Sequence, residues 1–269
     1  MASMLATISS EKIDQKFAHL RASGRKALVC YVTAGHPDRN GSLELLRGLE
    51  AAGADIVEVG VPFSDPIADG PVIQQSSQRA LDQGMDLNGV LELVREAALR
   101  VPVVLFSYLN PLLSGGPDIL ARCRDAGVDG ILVTDLPVGA DPEREAWLGQ
   151  SELAFVRLVA PTTPVERMRE IALNGSGFVY LISRLGVTGA QAELPPDIHA
   201  TASRLRSATN LPICVGFGIS GPEQARAVAD VADGVVVGSA IVRAADTDIA
   251  AALELVRSIR RSLDTINDK

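Results

Sequence analysis

Glu58 is the residue whose surroundings most strongly indicate chemistry. It is a carboxylic acid inside the apolar run Ile56-Val57-Glu58-Val59. Moving an unpaired carboxylate out of water costs several kcal/mol unless it is protonated or hydrogen-bonded, so an acid in such a run is usually retained for a function. We therefore interpret Glu58 as the leading candidate for a catalytic residue. The structural alternative is a buried acid that pairs with a nearby base.

Two further carboxylates, Asp65 and Asp69, follow in a loop that Pro62 and Pro66 stiffen. If the side chain of Glu58 points into a pocket at the end of its strand, Asp69 can fold back over the same opening. Two carboxylates held around one pocket by separate elements can have different pKa values, so that one transfers a proton while the other stays ionised. The alternative for both aspartates is a solvated or turn-capping role.

Glycine-rich turns in the last third of the chain indicate a phosphate site. Backbone N–H groups and helix N-termini bind phosphate, and glycine permits close approach of the backbone to the anion. One turn alone would be weak evidence, but several in succession favour a phosphorylated substrate over glycines that merely close tight turns. The three segments are Gly186-Val187-Thr188-Gly189-Ala190, Gly216-Phe217-Gly218-Ile219-Ser220-Gly221 and Gly238-Ser239-Ala240-Ile241.

The histidines do not have the spacing of a metal site or of a nucleophile's base. His19 and His199 fall in predicted helices, and His36 stands alone in a predicted loop. The sequence has no HxH or HExxH pair, no GxSxG elbow, no P-loop and no GxGxxG segment that opens a helix. With these motifs absent, the sequence favours metal-free acid/base chemistry on a phosphorylated substrate.

Eight short apolar runs separated by helical segments are the elements that must position these residues. Continuous β-branched runs are typical of parallel strands covered on both faces, and most of the intervening stretches are long enough for crossover helices. Two clear helical patterns are Ser42–Glu50 and Asp248–Arg257. The predicted strands are Ala27–Val32, Ile56–Val59, Pro102–Phe106, Gly130–Val133, Ala154–Val159, Phe178–Ile182, Pro212–Val215 and Gly234–Val237.

This pattern predicts the α/β class and a single (β/α)8 TIM barrel domain over residues 1–269, with an extra N-terminal helix and a flexible segment over residues 1–10. The barrel is preferred because a doubly wound open sheet usually has fewer strands. In such barrels the catalytic groups lie at the C-terminal ends of the strands and in the loops that follow. The candidate residues above all fall in those places.

Composition limits the other possibilities. The 269 residues are 47% hydrophobic, which is enough for a large core. The net charge of −8 argues against sequence-independent binding of nucleic acid, which needs a basic surface. The three cysteines, Cys30, Cys123 and Cys214, lie far apart in apolar or helical sequence, which predicts reduced, buried thiols. The N-terminus lacks a basic signal region and no apolar run reaches the length of a membrane span, so we expect a soluble, cytoplasmic protein.

Long motifs in this chain resemble one family, the α subunit of tryptophan synthase. The run Val57–Gly70 resembles the family signature almost position for position, and Leu181–Gly189 resembles its mobile loop after the sixth strand. The turns Gly216–Ser220 and Gly238–Val242 resemble its phosphate site. The resemblance extends from about Phe17 to about Arg261, whereas Thr33-Ala34-Gly35-His36-Pro37 and the tail match only loosely.

The resemblance implies reversible cleavage of indole-3-glycerol phosphate to indole and glyceraldehyde 3-phosphate. It makes Glu58 the general acid/base that moves protons between the substrate hydroxyl and indole C3. It makes Asp69 the group that binds the indole N–H and stabilises positive charge on the ring. Tyr180 would line the pocket near Glu58, and the segment from Ser183 to about Pro195 would close over the substrate.

The remaining site residues also come from the resemblance. Those implied for phosphate binding through backbone N–H groups are Gly189, Gly218, Gly238 and Ser239, and those implied for the substrate pocket are Tyr31, Phe106, Tyr108 and Thr188.

The family resemblance implies a partner as well. Indole would pass to a pyridoxal-phosphate-dependent β subunit in an α2β2 heterotetramer, so that this chain would itself hold no cofactor and no metal. The surface for that partner would include Pro62, Asp65, Asn110 and Pro111.

Three other functions stay open at this point. The first is a free-standing lyase that releases indole without a partner. The second is a different phosphate-binding barrel, which would share the glycine turns but not the segment from Glu58 to Asp69. The third is a regulatory subunit that binds the ligand without turnover, which predicts loss of Glu58 or Asp69, and both are present.

Overall fold

Eight parallel strands form a closed barrel in the order β1 to β8, each strand pairing with its neighbours in sequence and β1 closing on β8. The structure is a computed structural model that describes residues 2–182, 198–216 and 218–265, with the side chains of residues 2–10 left out. The strands are β1 (Ala27–Thr33), β2 (Ile56–Gly60), β3 (Val103–Ser107), β4 (Gly130–Val133), β5 (Ala154–Val159), β6 (Val179–Ile182), β7 (Ile213–Gly216) and β8 (Gly234–Val237).

The helices of the described residues surround this barrel. They are α1 (Ala2–Ala22), α2 (Arg39–Ala52), α3 (Pro71–Asp82), α4 (Leu87–Ala97), α5 (Leu109–Ser114), α6 (Ile119–Asp125), α7 (Pro142–Gly149), α8 (Val165–Leu173), α9 (Ile198–Ala208), α10 (Pro222–Ala229), α11 (Ser239–Thr247) and α12 (Ile249–Asp264). The predicted TIM barrel with an extra N-terminal helix is therefore confirmed. The flexibility of residues 1–10 stays a prediction.

The predicted elements agree closely with the structure. Each of the eight predicted strands is present, and the ends differ by one residue at most. The two helical patterns are parts of the longer helices α2 and α12, whose N-termini are capped by the carboxylates of Asp38 and Asp248.

The period of two along each strand divides the apolar residues into two sets. In β2, Ile56 packs with the side chains inside the barrel, whereas Val57 and Val59 pack outward against the helices. Since side chains alternate across a strand, Glu58 points inward like Ile56. The catalytic interpretation of Glu58 required a side chain that points into the barrel, and the structure meets that condition.

Helix α1 covers the N-terminal end of the barrel. Its residues Ile13, Phe17 and Leu20 are buried in the same cluster as the inward-facing strand residues. The ring centroids of Phe17 and Phe178 lie 5.7 Å apart. Gly177, at φ +75° beside β6, leaves the space that Ile13 occupies, because an added Cβ would lie 3.3 Å from the Cγ2 of Ile13.

At this same end of the barrel, three aspartates that directly precede strands form hydrogen bonds to the neighbouring strands. The carboxylates of Asp55, Asp129 and Asp233 accept the backbone N–H groups at the starts of β1, β3 and β7 respectively. Each of these aspartates also pairs with a cation, Arg260, Lys12 and Arg206 in turn. Sequence analysis gave these three acids no role.

The cysteines are free and buried, as predicted. Within the described ranges, no helix has both the length and the apolar character needed to cross a membrane.

Candidate active site

Glu58 is the middle residue of β2, fully buried, with its side chain inside the barrel mouth. Among the described residues, neither of its carboxyl oxygens has a hydrogen-bond partner. Burial raises the pKa of Glu58 to about 8, because the charged form has lost its hydration and no nearby donor compensates. The carboxyl group is therefore mostly protonated at neutral pH and can donate a proton. No structural base pairs with it in the described part of the chain.

Asp69 lines the same pocket from the loop between β2 and α3. The Tyr108 hydroxyl donates a hydrogen bond of 2.9 Å to its Oδ2 atom, and Ala68 N donates to that hydroxyl at 2.9 Å. Burial raises the pKa of Asp69 to about 6, and the hydrogen bond from Tyr108 opposes the rise. Asp69 is therefore mostly ionised at neutral pH, in contrast to Glu58.

Aromatic side chains form the wall between these acids. Tyr31, Phe106 and Tyr180 line the pocket, and the rings of Tyr31 and Phe106 meet edge to face with centroids 5.1 Å apart. Tyr108 does not line this pocket and instead holds Asp69. Two strand-end glycines make room for the tyrosines: a Cβ at Gly60 would lie 2.1 Å from the Tyr31 hydroxyl, and one at Gly216 would lie 2.2 Å from that of Tyr180.

The other side of the pocket is built from glycine turns. Gly218, Gly238 and Ser239 line it together, where the segments after β7 and β8 meet. Helix α11 begins at Ser239, and no side chain caps its N-terminus, so its first N–H groups are available to an anion. The predicted residues Thr188 and Gly189, and the predicted closing segment from Ser183 to about Pro195, lie outside the described residues.

Several pocket residues escaped sequence analysis. Val236 faces inward by the period of two along β8, and Arg243 lies one helical turn after Ser239, so the spacing of both could have indicated them. Four others, Gly70, Ile219, Ser220 and Ala240, lie in segments that sequence analysis named without singling these residues out, whereas Ile73 on α3 belongs to none of the motifs. The additional lining residues are Gly70, Ile73, Ile219, Ser220, Val236, Ala240 and Arg243.

The predicted partner residues lie around the two loops beside the pocket. Asp65 and Asn110 are exposed and Pro111 is half-buried, whereas Pro62 is buried in this chain. Ile67 is 81% exposed in the same loop as Asp65, and Leu113 is exposed in α5 beside Asn110. These two apolar side chains were not predicted. Single exposed apolar side chains are common on protein surfaces, so what distinguishes these two is that both lie beside the pocket.

The arrangement has the requirements for acid/base chemistry on an anionic, aromatic substrate. It combines a protonated acid, an ionised acid, an aromatic wall and a cluster of backbone donors in one pocket. The described residues contain no group of three or more His, Cys, Asp or Glu side chains that could hold a metal ion. The expectation that the chain holds no metal and no cofactor stays a prediction.

Comparison with known sequences gives consistent results. The profile of the family described as tryptophan synthase alpha chain matches residues 17–267. The tryptophan synthase alpha chain of Desulfatibacillum aliphaticivorans is 48% identical over 234 residues, which cover 86% of this chain and 88% of the relative. That of Caulobacter vibrioides is 47% identical over 240 residues, covering 87% of each chain.

Solved structures agree with the sequence relatives. The tryptophan synthase of Mycobacterium tuberculosis has a TM-score of 0.86 and 32% identity, with 93% of this chain and 97% of that chain covered. The alpha subunit of Legionella pneumophila has a TM-score of 0.85 and 34% identity, with 94% and 98% covered. From its sequence, its fold and its relatives together, the chain belongs to the tryptophan synthase alpha chain family.

Proposed function

We propose that this chain, a lyase of tryptophan synthesis by its family, catalyses the reversible cleavage of indole-3-glycerol phosphate to indole and glyceraldehyde 3-phosphate. The observation that carries the proposal is the pair of acids in one pocket, Glu58 protonated and Asp69 ionised at neutral pH. The cleavage needs one group that donates a proton to carbon and another that stabilises charge on nitrogen. The alternatives of another phosphate-binding barrel and of a regulatory subunit do not account for both acids.

Glu58 donates its proton to indole C3, which makes the ring an indolenine with positive charge on nitrogen. Asp69 accepts the indole N–H and stabilises that charge. Glu58, now ionised, removes the proton of the hydroxyl group next to the bond that breaks. The carbon–carbon bond then cleaves, its electron pair restores the aromatic ring, and the oxygen becomes the aldehyde of glyceraldehyde 3-phosphate. Glu58 ends protonated, so the cycle needs no outside acid or base.

The glycine turns hold the phosphate group that does not react. Backbone N–H groups at Gly218, Gly238 and Ser239, with Gly189, bind this anion and fix the distance from the phosphate to the reacting carbon. Tyr31, Phe106, Tyr180 and Thr188 surround the remainder of the substrate. Binding at a remote group lowers the entropic cost of placing the reacting atoms.

A β subunit is the proposed partner, in an α2β2 assembly that we expect in the cytoplasm. The exposed residues Asp65 and Ile67 in the loop after β2, and Asn110 and Leu113 in α5, make an apolar and polar surface beside the pocket. Pro111 lies in the same region, and Pro62 would support the loop from within. Pyridoxal phosphate would belong to the partner, which would use the indole.

The test is indole release from indole-3-glycerol phosphate by the Glu58→Gln variant with the β subunit present. Since positioned proton transfer contributes about 10²- to 10⁴-fold, we expect kcat to fall by at least about 100-fold. Binding of indole-3-propanol phosphate, an analogue that cannot be cleaved, should be retained. The matched control is Glu92→Gln, at an exposed position on α4, which should keep full activity. Turnover by Glu58→Gln close to that of the control would move the acid/base role elsewhere.

A further inference from the structure

His36 lies buried between two helices that lead to the active site. It follows β1, in the segment that matches the family loosely, and its side chain is only 3% exposed. Its Nε2 atom lies 3.3 Å from Oδ1 of Asp246 on α11. The same Oδ1 atom accepts a hydrogen bond of 3.2 Å from the Arg79 guanidinium on α3. One carboxylate oxygen thus contacts a buried imidazole and a cation from two other parts of the fold.

Both helices begin at the pocket and reach this cluster near their far ends. Helix α3 starts at Pro71, two positions after Asp69, and carries Arg79 in its last turn. Helix α11 starts at Ser239, in the glycine turn of the phosphate site, and carries Asp246 near its end. Because a short helix moves as a rigid body, a contact that fixes one end also fixes the direction of the other.

The imidazole lies among opposing electrostatic effects. Burial lowers the pKa of His36, the Asp246 carboxylate opposes that effect, the charge of Arg79 adds to it, and the carbonyl of Val242 opposes it. Neither ring nitrogen has a well-aligned hydrogen bond in the described part of the chain. A buried polar ring with so few partners is costly, so its retention requires a reason other than packing.

We propose that His36, Asp246 and Arg79 are positioning residues that fix α11 against α3, so that the phosphate turn and Asp69 face one substrate at the correct separation. The inference rests on the proposed function. Asp246 and Arg79 are about half exposed, at 46% and 51%, so their ion pair adds little to folding stability. Its loss should alter the geometry of the site and leave the fold intact.

The experiment compares Asp246→Ala with wild type in kinetics with indole-3-glycerol phosphate and the β subunit. Substitutions that act through a packed network change coupling by several-fold, so we expect KM to rise about fivefold while kcat stays within about twofold. Affinity for inorganic phosphate, measured by calorimetry, should weaken by a similar factor, whereas affinity for indole should not change. His36→Gln should give the same pattern, and Asp246→Glu should restore most of the affinity.

The matched control is Glu96→Ala, which removes the Arg39–Glu96 ion pair of similar exposure between α2 and α4. This variant should leave KM and phosphate affinity unchanged. An unchanged KM in Asp246→Ala, or an equal change in the control, would overturn the proposal. So would a parallel loss of phosphate affinity, indole affinity and melting temperature, which would indicate a structural role. If wild type cleaves nothing, the proposed reaction fails, and the phosphate titration still tests the positioning.

Discussion

At the scale of single residues, the two acids differ both in burial, which is deeper for Glu58, and in hydrogen-bond donors. Both carboxyl groups are largely removed from water, and burial raises the pKa of each. Asp69 accepts a hydrogen bond from Tyr108, which favours its ionised form, whereas Glu58 has no such donor among the described residues. Deeper burial of Glu58 and the hydroxyl group beside Asp69 together separate the roles of two similar side chains.

The pH dependence of kcat/KM should consequently be bell-shaped with a maximum near pH 7. Activity should fall below a pH of about 6 as Asp69 is protonated, and above about 8 as Glu58 loses its proton. Tyr108→Phe removes the donor that favours ionised Asp69, so its acid limb should move to higher pH while the alkaline limb stays in place. A profile that is flat from pH 6 to 8 would contradict the assignment of these two acids.

The sequence was informative about Glu58 because alternation along a strand determines its direction once its neighbours are known to be core residues. It was much less informative about Tyr108. The resemblance implied a pocket wall, but the structure has its hydroxyl on Asp69, a contact between residues 39 positions apart. Contacts of this kind depend on how two loops meet, and neither loop sequence specifies that meeting.

At the scale of elements, strands were predicted to within a residue because the parallel strands are mainly apolar runs bounded by small or polar residues, with Glu58 in β2 and Arg157 in β5 as charged exceptions. The aspartates that directly precede β2, β4 and β8 were harder to interpret from the sequence. Asp55, Asp129 and Asp233 each satisfy a backbone N–H of another strand and pair with a cation. Their partners lie far away in sequence, so only the closed barrel explains the acids.

Removing one of these acids should destabilise the barrel. Asp55 and Arg260 are both buried and lie 3.0 Å apart, so Asp55→Asn removes the buried counter-charge and leaves the guanidinium only the half-exposed carboxylate of Asp264, 2.8 Å away. We expect a loss of about 3 kcal/mol in the free energy of unfolding, measured by urea titration. The control is Asp125→Asn, where the lost ion pair is exposed, and its effect should be within about 0.5 kcal/mol. A small effect of Asp55→Asn would mean that Arg260 finds another partner.

At the scale of the whole molecule, we propose that the exposed residues beside the pocket couple the reaction to a partner. A β subunit that docks on Asp65 and Ile67 would hold the loop that carries Asp69. Coupling free energies between sites are commonly worth about 5- to 150-fold, so indole release should rise by a factor in that range on adding the β subunit. Ile67→Asp should abolish most of the rise and leave the rate of the isolated chain unchanged. Fast release by the isolated chain, with no further rise, would favour the free-standing lyase.

At this scale the sequence was enough to predict the barrel architecture but not the exposed apolar side chains beside the pocket. Composition and the number of strands were enough for one large barrel, because few folds of this length contain eight parallel strands. The apolar side chains of Ile67 and Leu113 escaped notice, because single apolar residues in a loop are common and only their shared exposure beside the pocket distinguishes these two.

Helix α1 has a consequence for the order in which molecules leave the enzyme. Since Ile13 and Phe17 fill the N-terminal end of the barrel, the described residues leave the mouth as the way in for substrate and the way out for products. In the proposed reaction two products of different character would share that exit, one charged and held by the glycine turns, the other apolar and held by the aromatic wall. Whatever covers the mouth therefore decides which product departs first and whether indole ever reaches the surrounding water.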